Sequence, residues 1–177
     1  AHLDATHARQ HQVEHHEVRA SAAHRCQGSL PVARLGHLVP AGAEVEFISL
    51  AGSLVEAVIW LGAAVTARRR ATVLPEGVTV AGDPDTGVTP VAPPGAYLYD
   101  LDPAVGRSNL VDEVAPALGA WRIDETIAYL SGDEARESPF ARRFRVAAWF
   151  PFGERRILDA LREAGATRAE VMRRGSP

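Results

Sequence analysis

Lysine is absent from this sequence, so every basic side chain other than histidine is one of 19 arginines. With its many alanines, glycines and prolines, that bias is read as the imprint of a GC-rich genome. Cysteine occurs once, at Cys26, which excludes an internal disulfide framework and fits the reducing cytoplasm expected as the chain's location. No apolar run approaches the ~18 residues of a membrane-spanning helix. The opening AHLDATHARQ has no basic-then-apolar leader pattern and no initiator methionine, as expected of a fragment or a partial reading frame. A net charge of −3 removes any global basic field that would by itself argue for nucleic acid.

What remains is an ordinary globular balance, 46% hydrophobic and 23% charged over 177 residues. That is enough for one domain, or one and part of another. All seven histidines fall between His2 and His37. Residues 1–34 are therefore read as a loosely ordered or mispredicted N-terminal segment. Leu3, Val13 and Val18 are almost its only large aliphatics before residue 30, too few to offset roughly 1–2 kcal/mol of backbone ordering per residue. Within it His11, Glu14 and His15 spell His-x-x-Glu-His, a zinc-hydrolase pattern that on a helix puts both histidines on one face. The segment has no apolar side to anchor a rigid site and no assigned third ligand, so no metal is expected.

From residue 44 the patterning becomes that of a folded core. Val45, Phe47, Val55, Ala57, Ile59 and Leu61 flank Ala51-Gly52-Ser53, which predicts a β-hairpin over 44–61 with Glu46 and Glu56 facing water. Arg70 to Leu74 reads as a third strand closed by Pro75-Glu76-Gly77. The Pro- and Gly-rich 82–95 reads as a loop and the best internal boundary. Tyr97-Leu98-Tyr99 is a short strand, followed by a helix start at Asp102-Pro103. Val105, Leu110, Val111, Val114 and Leu118 mark one apolar helix face, with Asp112 and Glu113 on the other. Pro116 predicts a bend in the last turn, and Gly119 the stop. The spacing of Ile123, Ile127 and Leu130 predicts a second helix over 121–130. A strand over 143–150, a helix over 153–164 and a strand over 167–173 then suggest a βαβ unit. Trp121, Tyr129, Trp149 and Phe152 are expected to be buried or half-buried. The fold class expected is α/β, with α+β as the alternative.

A family resemblance rests on Asp102-Pro103-Ala104-Val105-x-Arg107, Leu110-Val111, Leu118-Gly119-Ala120, Ile123-Asp124 and Ile127-Ala128-Tyr129-Leu130. Asp133, Ser138-Pro139-Phe140-x-Arg142, Pro151-Phe152 and Arg173-Arg174-Gly175 continue it in order. Together they resemble the THUMP-like domain at the C-terminus of a bacterial, actinobacterial-type group of class I S-adenosylmethionine-dependent methyltransferases. The resemblance implies a strand-helix-helix-strand-helix-strand domain over 96–177. It makes residues 35–81 the end of, or a linker from, a methyltransferase domain. It also implies that S-adenosylmethionine belongs to a catalytic half N-terminal to residue 1, the chain's own partner, and that RNA (tRNA or rRNA) is the substrate presented. The sequence itself offers no Gly-x-Gly turn after a strand to hold the cofactor, and no catalytic residue is assigned.

Local charge is the feature that bears on a partner. Residues 97–135 hold eight acids against two arginines, whereas 136–177 hold ten arginines against five acids. Arg142, Arg143, Arg145, Arg155, Arg156, Arg173 and Arg174 are the candidate RNA contacts, because a guanidinium fork gives a phosphate two parallel hydrogen bonds. All but Arg145 are expected on one exposed surface above Phe144, Val146, Ile157, Leu158 and Leu161, and Arg145, which alternates away from Phe144, joins them if that sheet face is open. Two readings stand side by side: an RNA-binding accessory region, or a packing or dimerisation domain whose arginines pair with its own acids.

Overall fold

The computed structural model describes residues 41–171 apart from residue 85, and these fall into two compact units, 41–149 and 150–171. The fold is α/β. The motif at His11, Glu14 and His15, Cys26, and Arg173 and Arg174 lie outside the described residues.

The hairpin forms as patterned, from β1 (Glu44–Leu50) and β2 (Ser53–Trp60). Its two-residue loop has positive φ at both Ala51 (49°) and Gly52 (76°), the conformation whose twist matches that of the flanking strands. β3 (Arg69–Leu74) runs parallel to β1 on the other side, and β4 (Val78–Gly82) returns antiparallel to β3. The sheet order is β2-β1-β3-β4.

A second four-stranded sheet, β6-β7-β5-β8, is antiparallel throughout. It comprises β5 (Tyr97–Leu101), β6 (Trp121–Arg122), β7 (Tyr129–Gly132) and β8 (Ala141–Arg145). Between β5 and β6 lie helices α1 (Pro103–Ser108) and α2 (Val111–Leu118). Asp102 caps α1 by accepting from Ala104 N at 2.8 Å, as its position before Pro103 predicts. The expected single helix divides at Asn109, which takes a left-handed conformation (φ 57°), and not at Pro116, which the short α2 accommodates before stopping at Gly119. Val105, Leu110, Val111, Val114 and Leu118 are all buried in one cluster with Val45, Phe47 and Ala71 from the first sheet and Tyr99, Leu101 and Leu130 from the second. Residues from both sides of the 82–95 loop thus share one core.

Four expectations are corrected. Residues 121–130 are not a helix: Asp124 accepts from both the N–H and the hydroxyl of Thr126, and this local turn separates two short strands. β8 stops at Arg145, short of Phe150, and pairs antiparallel with β5, so it is not the first strand of a parallel unit. Glu46 is buried and does not face water, and Asp112 is buried on a helix where it was expected on the solvent side. Trp149 (61% exposed) and Phe152 (86%) stand in solvent.

In the smaller unit α3 (Glu154–Glu163) is amphipathic, with Ile157 and Leu161 half-buried, Leu158 exposed, and Arg155, Arg156 and Arg162 exposed. No helix among the described residues is long and apolar enough to cross a membrane.

Candidate functional site

β8 carries three of the candidate arginines, and strand alternation divides them. Arg143 and Arg145 stand opposite Tyr99 and Tyr97 on one face of the sheet, whereas Arg142 stands opposite Asp100 on the other. Arg142 donates to buried Asp100 at 2.9 Å and lies 5.9 Å from the Phe144 ring centroid. Arg143 pairs with Glu137 at 2.8 Å and lies over the Tyr97 ring at 5.5 Å, a cation–π arrangement. Arg145 is exposed, with no acid within ion-pair distance among the described residues. Arg155 and Arg156 are exposed on the first turn of α3, in the other unit. The structure therefore brings Arg143 and Arg145 together beside Tyr97 and sets Arg142 apart from them.

Three buried carboxylates, Glu44, Glu46 and Asp112, were missed because acids in a sequence read as solvent-facing. Glu44, with no exposed surface, lies on β1 facing away from Val45. One of its oxygens accepts from Thr66 N (2.8 Å), Thr66 Oγ1 (3.3 Å) and Ala67 N (3.0 Å), and the other accepts from Arg70 Nε. Glu46, on the same face, accepts from Trp60 Nε1 at 2.8 Å and from the Thr72 hydroxyl, which meets that of Thr79 at 2.9 Å. A continuous polar ladder thus crosses all four strands of the first sheet, from Trp60 on β2 to Thr79 on β4.

Asp112 does similar work on α2. It accepts from Thr86 Oγ1 (2.9 Å), Gly87 N (2.7 Å), Thr89 N (3.3 Å) and Arg122 Nη2 (3.3 Å). Backbone bonds between Arg122 and the carbonyl of Pro90, and between Ala92 and the carbonyl of Arg122, then fasten the 82–95 loop along β6.

Burial alone pushes the Glu44 carboxyl up, but the Arg70 hydrogen bond, the Thr66 and Ala67 N–H groups and the Arg70 charge outweigh it and hold it at about 2. For Asp112 burial likewise raises the value, while the Thr89 and Thr86 side chains, the Gly87 N–H and the Arg122 charge bring it to about 2. Both folded-state values lie below the unfolded ones, so the stabilisation is present above about pH 4.5 and is lost as pH falls toward 2. A tenfold change in proton affinity is worth about 1.4 kcal/mol, so the loss is on the order of 3 kcal/mol for Glu44 and 2 for Asp112. Urea midpoints measured from pH 6 down to pH 2.5 are expected to fall steeply below pH 4.5. A midpoint that stays flat there would contradict this assignment.

With every carboxylate oxygen engaged and both groups held ionised, neither Glu44 nor Asp112 is disposed to act as an acid or base. Beside the Glu44 network an open groove of about 630 Å³ is lined by Val65, Thr66, Ala67, Arg68, Ala81, Gly82 and Asp83. No cluster of three or more metal-ligating side chains occurs among the described residues. A cofactor cradle needs a glycine-rich turn between a strand and a helix. The step from β5 to α1 passes directly through Asp102 and Pro103, with the Asp102 carboxylate already on the helix N-terminus, so it does not fit S-adenosylmethionine.

Comparison with known proteins supplies the wider setting. The chain is 36% identical over 153 residues, 85% of its length, to a protein of Mycobacterium tuberculosis named an uncharacterized S-adenosylmethionine-dependent methyltransferase, with the same figures in each of two strains. Homologues of this chain are therefore named S-adenosylmethionine-dependent methyltransferases. The chain spans 42% of the length of these relatives. No family model matches it, and no solved structure does.

Proposed function

We propose that this chain is a THUMP-like, RNA-binding portion of an S-adenosylmethionine-dependent methyltransferase, working in the cytoplasm. It presents tRNA or rRNA to a catalytic half that holds the cofactor. The observation that carries the RNA assignment is the pair Arg143 and Arg145 beside the Tyr97 ring on a strand anchored in the core. A guanidinium on a rigid strand meets a phosphate with little loss of side-chain freedom. Arg155 and Arg156 add exposed cations from α3, and Arg173 and Arg174 are assigned the same role. The methyltransferase setting is supported by the names of the relatives, and S-adenosylmethionine is assigned to the half beyond this chain.

Filter binding of tRNA at ~50 and ~200 mM salt tests the RNA assignment. Even about three phosphate contacts should cost tenfold or more in affinity across that range, and Arg145→Glu should weaken binding and flatten the slope. Affinity that ignores salt, or is unchanged in both Arg145→Glu and the Arg155→Glu/Arg156→Glu double variant, would defeat it. The ion pairs Arg142–Asp100 and Arg143–Glu137 favour the second reading, a packing or dimerisation domain with no nucleic-acid role. That reading survives if tRNA does not bind.

A further inference from the structure

Of the two edge strands of the first sheet, β2 and β4, β2 is the one with exposed large apolar side chains. It lies at the edge of the order β2-β1-β3-β4, and among the described residues no strand pairs with its outer side. Its sequence, SLVEAVIW, carries a single charge and no proline, lysine or arginine, the devices by which edge strands usually deter pairing. Val55, Ala57, Ile59 and Leu61 recur at two-residue spacing at and just beyond its end. All four are exposed, Val55 at 56% and Leu61 at 59%. By register Ala57 and Ile59 stand beside Phe47 and Val45, so these two continue the core-facing side of the sheet; past a bulge at Val55, Leu54 stands beside Ser49. Helix α1 packs on β1 and β3 and also touches β2, whose Leu54 reaches the core, and α2 packs on β4, yet Val55, Ala57 and Ile59 stay exposed. An exposed apolar row on a strand with a single charge, continuous with a core, is a surface built to be covered.

We propose that the outer edge of β2 and its row of Val55, Ala57, Ile59 and Leu61 receive the rest of a methyltransferase polypeptide, by addition of a strand and packing of apolar side chains over the row. This rests on the methyltransferase setting above, and not on the RNA assignment. The occupant follows from two observations. The relatives carry more than half of their length beyond the matched stretch. A second copy of this chain could extend the sheet through its own β2 but would bring to it an equally exposed row. A larger partner supplies both the strand and the cover.

The test compares this chain with the full-length M. tuberculosis relative. A 153-residue match within 177 residues includes 53–60 wherever it begins, so the relative has a counterpart of β2. Hydrogen exchange should find alternate β2 amides of this chain exchanging as fast as free edge amides. In the relative the whole counterpart strand should be protected about 100-fold more. Lysines at the counterparts of Val55 and Ile59 should lower the relative's melting temperature by several degrees, while Val55→Lys and Ile59→Lys shift this chain's by no more than about two. Equal exchange in the two proteins, or equal tolerance of the lysines, overturns the proposal. A dimer of this chain alone with β2 fully protected gives the edge to a second copy and overturns it as well. Loss of tRNA binding with the β2 result intact would sink the RNA assignment and leave this one standing.

Discussion

Glu44→Ala is expected to cost the larger unit roughly 3 kcal/mol, measured as the shift in urea midpoint at pH 7. The figure follows from what the substitution leaves behind. The Thr66 and Ala67 N–H groups lose their acceptor, and the Arg70 guanidinium loses its counter-charge. Breaking a buried ion pair by removing one partner usually costs 3–5 kcal/mol. The low end applies because the Arg70 side chain is 27% exposed and water can reach it. Even so, the loss is a large part of the ~5–15 kcal/mol that holds a domain of this size together.

Glu44→Gln separates charge from shape. The amide oxygen can still receive the two N–H groups, but the amide nitrogen must then face the Arg70 Nε, a donor against a donor. A smaller loss is expected, together with a weaker acid dependence, because the group that titrated toward 2 is gone. An alanine variant within about 0.5 kcal/mol of the parent would show that Glu44 is dispensable and that the turn at Thr66 and Ala67 is held by other means.

The sequence revealed those parts of the fold whose causes are local. The hairpin was legible because Ala51 and Gly52 interrupt two alternating runs, and α1 because Asp102 and Pro103 form a start signal within two residues. The buried face of α1 and α2 was legible because five apolar residues keep helical spacing across them. The split at Asn109 was hidden by that same regularity. Asparagine tolerates the left-handed conformation as few other residues do, so the signal was present but outweighed by the apolar pattern. Ile123, Ile127 and Leu130 imitated a helix because β6 and β7 are two and four residues long, too short to display a period of two. The Asp124–Thr126 turn between them was the local clue.

The candidate site was less legible, for a physical reason. Alternation along 141–145 separates Arg142 from Arg143 and Arg145, and the spacing alone already implied it. Which face is open depends on the pairing with β5, whose residues lie far back in the chain. Glu44 and Asp112 draw their donors from 10 to 26 residues away, so nothing beside them in the chain distinguishes them from Glu113, which is exposed. A run of acids says how much charge is present and not which member the fold will enclose.

Asp112 is where that distinction has the largest consequence, and Asp112→Ala is expected to cost roughly 4 kcal/mol, or about 10–20 °C in melting temperature. Both members of its ion pair are buried, the Arg122 side chain at 10% exposure and Asp112 at 2%, so water cannot replace the lost carboxylate as it can beside Arg70. Thr86, Gly87 and Thr89 lose their common acceptor at the same time. The effect should therefore be regional as well as global. Amides of Gly87 and Thr89 should exchange much faster, and the loosening should extend to Ala92 and Arg122, whose backbone pairing holds the loop against β6. Asp112→Asn should still cost about 2 kcal/mol, since in either orientation its amide nitrogen meets at least one donor that cannot accept, Gly87 N–H on one side or Thr89 N–H and Arg122 on the other. Its neighbour Glu113, exposed, is the control and should change stability by no more than about 0.5 kcal/mol when replaced by alanine. If the two variants behave alike, the anchoring of the 86–89 loop by Asp112 is wrong, and with it the account of how that loop is held along β6.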